Sequence, residues 1–435
     1  MLTDEWRTSS DNEHEPRDRA ARTLLRLMFD AAVASADPLK VLPAHLPEPP
    51  GGRCVVVGAG KAAAAMALAV ERAWPDVPLS GVVAVPYGSA VPCERIRVLE
   101  AAHPVPDENS VVAAREVLAA VEGLAADDLV LALISGGGSS TMCLPVSGLT
   151  LADKQVTNRL LLASGLDIRT MNAVRRRLSA VKGGKLAAAA RPARVLTLAI
   201  SDIPGDDTAA IASGPTVVDP AAEELPWDAI VTRLGPALPA RVANLLRARP
   251  KASPAPTHGK VILVAKPAAS LQAAAELARQ HGITPVILGD DIEGESRKVA
   301  QAMARGIAPV ASPTVFISGG ETTVTLGSSG GGRGGRNTEF ALALACELKG
   351  AADVWALAAD TDGEDGINLG AAGAIVSPGT LDKARTLGLN PLDCLERHDS
   401  GSFFKALGDL VVTGPTRTNV NDFRAILALP KNAKL

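Results

Sequence analysis

The sequence predicts an α/β protein with two domains. The chain has 435 residues, which is more than one hydrophobic core usually accommodates, so two domains are expected. Short runs of Val, Leu and Ile alternate with Ala-rich stretches, and many of the runs end in glycines or acids. This alternation is typical of a mostly parallel sheet with helices on both faces.

The order of these runs predicts where each domain begins and ends. Residues 1–18 are charged throughout and predict a mobile tail, followed by an amphipathic helix from about Ala20. The runs CVVVGAG, GVVAVPYG, LVLALISGGGSS and RVLTLAISDIPGDD predict the strands of a first domain over 19–250. The Pro-rich stretch 251–259 predicts a linker, and a second α/β domain then covers 260–435.

Composition excludes several classes of function. The net charge of −3 gives no basic field for a nucleic-acid backbone. Five cysteines without a CxxC pair suggest neither a disulfide framework nor a zinc site. The chain begins without the apolar core of a secretory signal, and no apolar run reaches the length of a membrane span. We therefore expect a cytoplasmic protein with no nucleic-acid or membrane partner.

The first strand ends in a glycine turn that carries a lysine. Gly58-Ala-Gly60-Lys61-Ala-Ala matches the dinucleotide pattern G-x-G-x-x-A, which taken alone indicates a Rossmann reductase. The next strand, however, ends at Tyr87 and Gly88 without the acid that binds a ribose hydroxyl. Lys61 instead suggests a mobile cation for phosphate or carboxylate. The alternative is a tight turn with a solvated lysine.

A second glycine turn follows the third run. Ser135-Gly136-Gly137-Gly138-Ser139-Ser140 places unhindered amides and hydroxyls before a predicted helix, and amides at a helix N-terminus bind anions. The chain contains no G-x-x-x-x-G-K-[ST] pattern, so P-loop chemistry is excluded as the template. A flexible loop is the alternative.

Basic residues could complete an anion site in the first domain. The stretch MNAVRRRLSAVKGGKLA contains Arg175 and Lys182 and predicts a basic helix that ends at Gly-Gly. A charged helical surface is an equally good interpretation of any single arginine. His103 lies between an apolar run and a proline turn, where a lone histidine is more often structural.

The second half carries a further glycine turn and most of the acids. Gly319-Gly320-Glu321 follows a predicted strand, and a glycine-rich flap then leads to Arg336 and Asn337 at a helix start. Asp362 in DTDGEDG and Asp202 in SDIPGDD provide hard oxygen ligands suited to Mg²⁺. Simple turn acids are the alternative for each carboxylate.

Taken in order, a series of motifs resembles the D-glycerate 2-kinases whose second half is called the MOFRL domain. The series is GAGKAAAAMA, HPVPDE, LISGGGSS, NAVRRRLSAVKGGKLA, SDIPGDD, ASGPTV, SGGETTVTL, GGRNTEFALA and ADTDGEDG. It extends from about Ala20 to about Ala428. The resemblance implies a Rossmann-like three-layer N-terminal domain, a smaller α/β C-terminal domain and an interdomain site where ATP with Mg²⁺ phosphorylates D-glycerate at its 2-hydroxyl. The small-molecule partners would be glycerate and ATP, and the chain would be a monomer or homodimer.

The resemblance and the residue patterns together assign roles to particular positions. Lys61 and Arg336 are similar to the pair proposed to act on the transferring phosphoryl group. Phosphate or nucleotide contacts are predicted for Gly58, Gly60, Ser135, Gly136, Gly137, Gly138, Ser139, Ser140, Lys182, Gly319, Gly320 and Glu321. Substrate contacts are predicted for His103, Arg175 and Asn337, and metal ligation for Asp202 and Asp362. Arg177 stands where relatives often carry His, which leaves the hydroxy acid open.

Two other functions remain as alternatives. Similar proteins are often labelled hydroxypyruvate reductases, which would use NAD(P)H, but the missing ribose acid weighs against that label. A ligand-binding regulator without turnover is the third hypothesis. It would not need Lys61, Arg336 and clustered acids together.

Overall fold

The chain divides into two compact α/β units. A computed structural model describes residues 9–219, 224–248, 259–307, 309–326, 330–366 and 369–431. The first unit comprises Ala36–Lys266 and Arg417–Asn419. The second comprises the described parts of Met1–Ser35, Pro267–Thr416 and Val420–Leu435. Among the described helices, none is both long and apolar enough to cross a bilayer.

The first unit is built on a six-stranded parallel sheet. Its strands are β1 (Cys54–Ala59), β2 (Leu79–Pro86), β3 (Arg97–Ala101), β4 (Leu129–Ile134), β5 (Arg194–Ile200) and β6 (Lys260–Ala265). They lie in the order β3-β2-β1-β4-β5-β6, and every neighbouring pair is parallel. This is the Rossmann strand order, with the switch point between β1 and β4. Every residue of these two strands is buried, as expected for central parallel strands.

Helices and short 3₁₀ turns connect the strands of the first unit. They are α2 (Pro38–Val41), α3 (Ala63–Ala73), α4 (Glu108–Ala120), α5 (Gly138–Thr141), α6 (Leu151–Ala163), α7 (Ile168–Arg177), α8 (Lys185–Ala189), α9 (Trp227–Leu234) and α10 (Ala240–Arg247), with 3₁₀ turns at Pro43–His45, Pro204–Asp206 and Ile211–Ser213. The predicted α/β class with a mostly parallel sheet is confirmed by this arrangement.

The second unit has a mixed sheet and a two-stranded ribbon. Its strands are β7 (Thr284–Gly289), β8 (Gly294–Glu295), β9 (Thr314–Ser318), β10 (Thr322–Thr323), β11 (Val354–Asp360), β12 (Gly373–Val376), β13 (Leu410–Val411) and β14 (Asp422–Ala428). The sheet order is β13-β12-β11-β14-β9-β7, and β8 pairs with β10. The β7–β9 pair is parallel and the other pairs of the sheet are antiparallel.

The helices of the second unit pack on both faces of this sheet. They are α1 (Ser9–Ala34), α11 (Pro267–Gln280), α12 (Ser296–Gly306), α13 (Arg336–Leu348), α14 (Thr380–Thr386), α15 (Pro391–Glu396) and α16 (Ser400–Leu407). Buried residues of α1 and α11 share a cluster with β11 and β14. Buried residues of α12, α13, α15 and α16 form a separate cluster on the same strands.

The chain crosses between the units at places that differ from the predicted boundaries. Strand β6 was assigned to the second domain, but it pairs with β5 and completes the first sheet. Residues 249–258, which include most of the predicted linker, lie outside the described residues. Arg417–Asn419 also belong to the first unit, although they lie near the end of the chain.

Helix α1 shows the largest difference from the predicted organisation. It begins at Ser9 rather than near Ala20, while residues 1–8 lie outside the described part. Within the stretch predicted to be a mobile tail, Arg17 pairs with Asp353 at 2.6 Å and Asp18 accepts a hydrogen bond from Trp355 at 2.8 Å. These partners lie more than 330 positions away in sequence, so a local pattern of charges does not reveal them.

The packing of α1 predicts a specific loss of stability. Phe29 is fully buried and its ring lies 5.9 Å from that of Phe423 on β14. Phe29→Ala should lower the free energy of unfolding of the second unit by about 3–5 kcal/mol, measured by urea unfolding with amide exchange. Leu27→Ala, at an exposed position of the same helix, is the control. Loss of amide protection in the first sheet instead of the second would contradict this assignment.

Candidate active site

The two glycine turns of the first unit hold each other at the switch point of the sheet. The turn after β1 contributes Lys61, whose amide donates to the carbonyl of Gly136 at 2.8 Å. The amide of Ala62 donates to the hydroxyl of Ser135 at 3.0 Å. Gly60 has a φ of +124°, and a Cβ there would lie 2.4 Å from the carbonyl oxygen and hydroxyl of Ser135. Glycine is therefore required for the turns to meet.

This packing changes the interpretation of the first turn. In a dinucleotide site, the glycines let the backbone approach a pyrophosphate. Here the amides of Lys61 and Ala62 are already bonded to the second turn. Gly58 lies within β1, where a Cβ would lie 2.2 Å from the carbonyl oxygen of Leu133 on β4. Gly58 and Gly60 thus serve the approach of two protein segments, and their contact with a nucleotide stays a prediction.

The second turn retains unused hydrogen-bond donors. Within the described part of the chain, the amides of Gly136, Gly137 and Ser139 make no hydrogen bond. The predicted helix after this turn is the single turn α5, which has too few aligned peptides for a strong dipole. The amides themselves are the groups that can bind an anion at this turn.

Lys61 and His103 come together at Gly137. A Cβ on Gly137 would lie 3.4 Å from Cγ of Lys61 and 3.4 Å from two atoms of the His103 ring. Nδ1 of His103 lies 2.7 Å from the Ser140 hydroxyl. The structure therefore brings together a lysine, a histidine and a serine that the sequence separates by as many as 79 positions.

Asp202 lies on the other side of the same turn. A Cβ on Gly136 would lie 1.6 Å from Oδ2 of Asp202, so the carboxylate occupies the space that a side chain at Gly136 would need. The same oxygen accepts a hydrogen bond from the Asn419 amide at 3.1 Å. Asn419 was missed in the sequence because it lies in the C-terminal part of the chain. A polar TNVND run with two buried asparagines was the available signal.

Lys182 approaches the turn from below α5. Its ammonium donates to the carbonyl of Ser139 at 2.6 Å and to the Ser139 hydroxyl at 2.7 Å. Burial, with a contribution from the charge of Lys154, lowers the pKa of Lys182 to about 7. Arg175 donates to Asn158 at 2.9 Å and to Asn172 at 3.1 Å. Lys182 therefore lies at the predicted turn, and Arg175 lies near enough to act on its charge.

A separate group of charged residues surrounds Arg336 in the second unit. The guanidinium donates to Asp422 at 2.8 Å, to Glu321 at 2.7 Å and to Asp360 at 2.6 Å. Burial alone would lower the pKa of Arg336, but these carboxylates outweigh it and raise the pKa well above its ordinary value. The described residues use three of its five N–H donors, which leaves two for a ligand. Sequence reasoning missed Asp422, although it is the last residue of the same TNVND run.

The start of α13 fixes the position of Arg336. The buried carboxylate of Asp365 accepts hydrogen bonds from the amides of Asn337 and Thr338, both at 2.8 Å. The Thr338 hydroxyl in turn accepts a hydrogen bond from the amide of Gly335 at 3.0 Å, which completes the cap of α13. The Asn337 side chain is fully buried and donates to Asp422 at 2.7 Å, so it supports the Arg336 group. Its predicted contact with substrate stays a prediction.

The turn after β9 is held by protein contacts. Gly320 has a φ of +93°, and a Cβ there would lie 2.2 Å from the amide nitrogen of Ile292. The carbonyl of Gly319 accepts a hydrogen bond from Arg424 at 2.8 Å. Of this predicted nucleotide turn, Glu321 is the residue that reaches Arg336.

The predicted metal ligands do not form a cluster within either unit. Asp202 belongs to the first unit, and Asp362 belongs to the second, where it accepts from the amide of Glu364 at 2.8 Å. Among the described residues, no three His, Cys, Asp or Glu side chains gather as a metal site. The two ligands stay predictions.

Comparison with known proteins relates this geometry to a family. Residues 24–247 match a family described as a domain of unknown function, DUF4147, and residues 314–422 match the MOFRL family. The D-glycerate 2-kinase of Thermotoga maritima is 37% identical over 85% of this chain and 89% of its own length. The chain belongs to the glycerate 2-kinase (MOFRL) family. The family predicted from the motifs is confirmed.

Two more comparisons with this glycerate 2-kinase family member involve proteins that carry different names. A crystal structure of the Thermotoga maritima glycerate kinase superimposes with a TM-score of 0.82 at 34% identity, over 94% of this chain and 100% of that one. A protein of Agrobacterium vitis is 56% identical over 94% of this chain and 95% of its own length, and it carries the provisional name hydroxypyruvate reductase. The two names correspond to the two activities that the motifs left open.

The contact between Gly136 and Asp202 yields a testable prediction. Gly136→Ala should displace Asp202 and reduce turnover at least tenfold, because a Cβ and the carboxylate cannot share the same space. Activity and melting temperature should be measured together. Gly51→Ala is the control, since a Cβ at Gly51 meets nothing within 4 Å. Equal turnover by Gly136→Ala and Gly51→Ala would show that turnover does not depend on the position of Asp202.

The buried Lys182 predicts a pH dependence of stability. Its pKa is about 7 in the folded protein and near the ordinary lysine value of 10.5 in the unfolded chain. Below pH 7 both states carry the charge. Between these values the unfolded state binds more protons, so stability rises with pH by up to about 1.4 kcal/mol per unit.

Urea unfolding at several pH values can test this dependence. From pH 7 to pH 9, the unfolding free energy of the parent protein should rise relative to that of Lys182→Met. Other titrating groups are common to both proteins and cancel in the difference. A difference that stays flat would mean that the folded Lys182 keeps an ordinary pKa.

Proposed function

We propose that the protein transfers the γ-phosphoryl group of ATP to the 2-hydroxyl of D-glycerate, giving 2-phosphoglycerate and ADP. The observation that carries the proposal is the second glycine turn, where three unbonded amides lie beside Lys61, His103 and Lys182. Amides and cations at one turn are suited to an anionic group such as phosphate. Relatives named glycerate kinase support this substrate class.

Phosphoryl transfer mainly requires positioning and neutralisation of charge, and two side chains are suited to this. Lys61 extends from a turn whose backbone is fixed by two hydrogen bonds. Arg336 is held by three carboxylates and keeps two N–H donors. In the proposed reaction, both stabilise the negative charge on the transferring group.

A proton must leave the glycerate hydroxyl as its oxygen bonds to phosphorus and the bond to ADP breaks. Asp202 is the carboxylate beside the second turn, and its position is set by Asn419 and Gly136. We propose Asp202 as the proton acceptor. Its alternative role as a metal ligand uses the same oxygen atoms.

Mg²⁺ is compatible with these residues. Mg²⁺ usually keeps several waters and binds one or two carboxylates together with substrate phosphates, so a cluster of protein ligands is not required. Asp362 and, in its alternative role, Asp202 are the residues that would hold the ion. The ion would neutralise charge on the phosphates of ATP.

The hydroxypyruvate reductase hypothesis is less well supported. Strand β2 ends at Pro86 without an acid for the ribose, and the amides of the G-x-G-x-x-A turn are bonded to protein. The relative from Agrobacterium vitis favours keeping this activity as a second candidate. A regulator without turnover is the third, and a direct assay separates all of them.

The deciding experiment is an enolase-coupled assay. Purified protein with ATP, Mg²⁺ and D-glycerate should yield phosphoenolpyruvate without added phosphoglycerate mutase. A signal only with the mutase would mean phosphorylation at the 3-hydroxyl. No signal, together with NADH oxidation by hydroxypyruvate, would establish the reductase, and no turnover in either assay would favour the regulator.

Variants of Lys61 test the assigned role. Lys61→Ala should lower turnover by on the order of a hundredfold while the fold stays intact, because a cation aimed at the transferring group is removed. Lys40→Ala, at an exposed lysine in the same unit, is the matched control. Unchanged turnover in Lys61→Ala would show that Lys61 is misassigned.

A further inference from the structure

Three basic side chains in the first unit lie near one another, and none of them pairs with an acid in the described part of the chain. Lys154 on α6 is 8% exposed and Lys182 is 3% exposed. Arg175 on α7 is partly exposed and forms the outer member of the group. Arg175 donates to Asn158, which lies one helical turn after Lys154 on α6, and the charges of Lys154 and Arg175 both lower the pKa of Lys182. We call them the basic triad.

Their neighbours in sequence are paired with acids, whereas the basic triad is not. Arg176 pairs with Asp219 at 2.7 Å, and Asp153 pairs with Arg241 at 3.1 Å. Within the described residues, Arg175 donates to two asparagines and Lys182 to the carbonyl and hydroxyl of Ser139. None of these partners carries a charge.

Lys154 has no oxygen acceptor for its ammonium group among the described residues, and the thiol of Cys143 lies beside it. Its ammonium nitrogen is buried. The nearby thiol of Cys143 influences its charge, but burial dominates and lowers the pKa of Lys154. A buried ammonium without an acceptor costs several kcal/mol. A fold that keeps this ammonium beside two further cations, whose acceptors are all uncharged, therefore offers a site for an anion.

The backbone holds the basic triad against the second glycine turn. The amide of Ala180 donates to the carbonyl of Leu144 at 2.9 Å, and the amide of Val146 donates to the carbonyl of Leu178 at 3.1 Å. These bonds tie the segment after α5 to the end of α7. Lys182 then reaches Ser139 directly. An anion at the basic triad would thus lie next to the turn proposed to hold phosphate.

We propose that Lys154, Arg175 and Lys182 form a buried receptor for the carboxylate of the hydroxy-acid substrate. The inference rests on the proposed function, and it names the part of the substrate that the enzyme recognises. Because two of the three side chains are lysines that are almost fully enclosed, we assign a small monoanion to the basic triad. The phosphates of the nucleotide are assigned to the unbonded amides of the second glycine turn. The basic triad would exclude neutral polyols, since they leave the charges unpaired.

Carboxylate and phosphate are both anions that the basic triad could bind. The experiment must therefore measure the effect on glycerate and the effect on ATP separately. Lys154→Met keeps the volume of the side chain and removes the unpaired charge, so it should fold at least as stably as the parent. Its KM for D-glycerate should rise tenfold or more, while its KM for ATP changes less than twofold. A rise in the KM for ATP instead would assign the basic triad to nucleotide phosphate and overturn the carboxylate proposal.

Binding without turnover keeps this test independent of the kinase assignment. Thermal stabilisation of the protein by D-glycerate, by inorganic phosphate and by neutral glycerol should be compared in the parent, Lys154→Met and the control Lys40→Met. We expect D-glycerate to stabilise the parent and Lys40→Met but not Lys154→Met, and glycerol to stabilise none. Equal stabilisation of all three proteins by D-glycerate would overturn the proposal even if kinase activity were established. Binding of D-glycerate to the parent without phosphorylation would count against the kinase alone.

The pH dependence gives a second readout that a purely structural role would not move. Lys182 faces Lys154, Arg175, the Cys143 thiol and Ser139. An anion favours its charged form, so the dissociation constant of D-glycerate should increase by up to tenfold per unit as pH rises above about 7. In Lys182→Met, this dependence should be lost along with tight binding. A dissociation constant independent of pH from 6 to 9 would contradict the proposal.

Discussion

The mutual packing of two glycine turns is the constraint on which the site of the first unit depends. Because β1 and β4 are adjacent and parallel, the turns at their carboxyl ends meet at the switch point. The contact of Gly60 with Ser135 is possible only without a side chain at Gly60. Once the turns are joined, Lys61 leaves from a fixed backbone. The amides of Gly136, Gly137 and Ser139 in the second turn stay unbonded within the described residues. The first turn therefore supplies a cation, and the second turn supplies amides for an anion.

In the second unit, ion pairs rather than the packing of glycine turns hold the cation in place. Arg336 is surrounded by Asp422, Asp360 and Glu321, which hold its guanidinium in one orientation and keep it charged. Asp365 fixes the first turn of α13 below it. In the first unit, the described residues give Lys154 and Lys182 no acidic partner. The two units therefore differ in how easily these charges respond to a ligand, because Arg336 is already neutralised by carboxylates whereas Lys154 and Lys182 are not.

The sequence predicted the features that depend on local pattern. Strand runs, both glycine turns and the family followed from residues that are close together in the chain. The docking of α1, the pairing of β6 with β5, and the contacts of Asn419 and Asp422 depend on segments brought together by folding, and no local pattern encodes them. The helix predicted after the second turn is present, but it ends after one turn because Met142 leaves the helical region. The unbonded amides of the turn are therefore the groups that can bind an anion.

The same geometry bears on the two names given to relatives. A G-x-G-x-x-A turn indicates a dinucleotide only if its amides face the ligand. Here the turn has the right sequence and strand order, but the amides of Lys61 and Ala62 face protein. An anion at this switch point must therefore be bound by the second turn and by side chains. Such a site is rich in cations and suits a substrate with a carboxylate and a phosphate donor, whereas hydride transfer from a nicotinamide requires neither Lys182 nor Lys154.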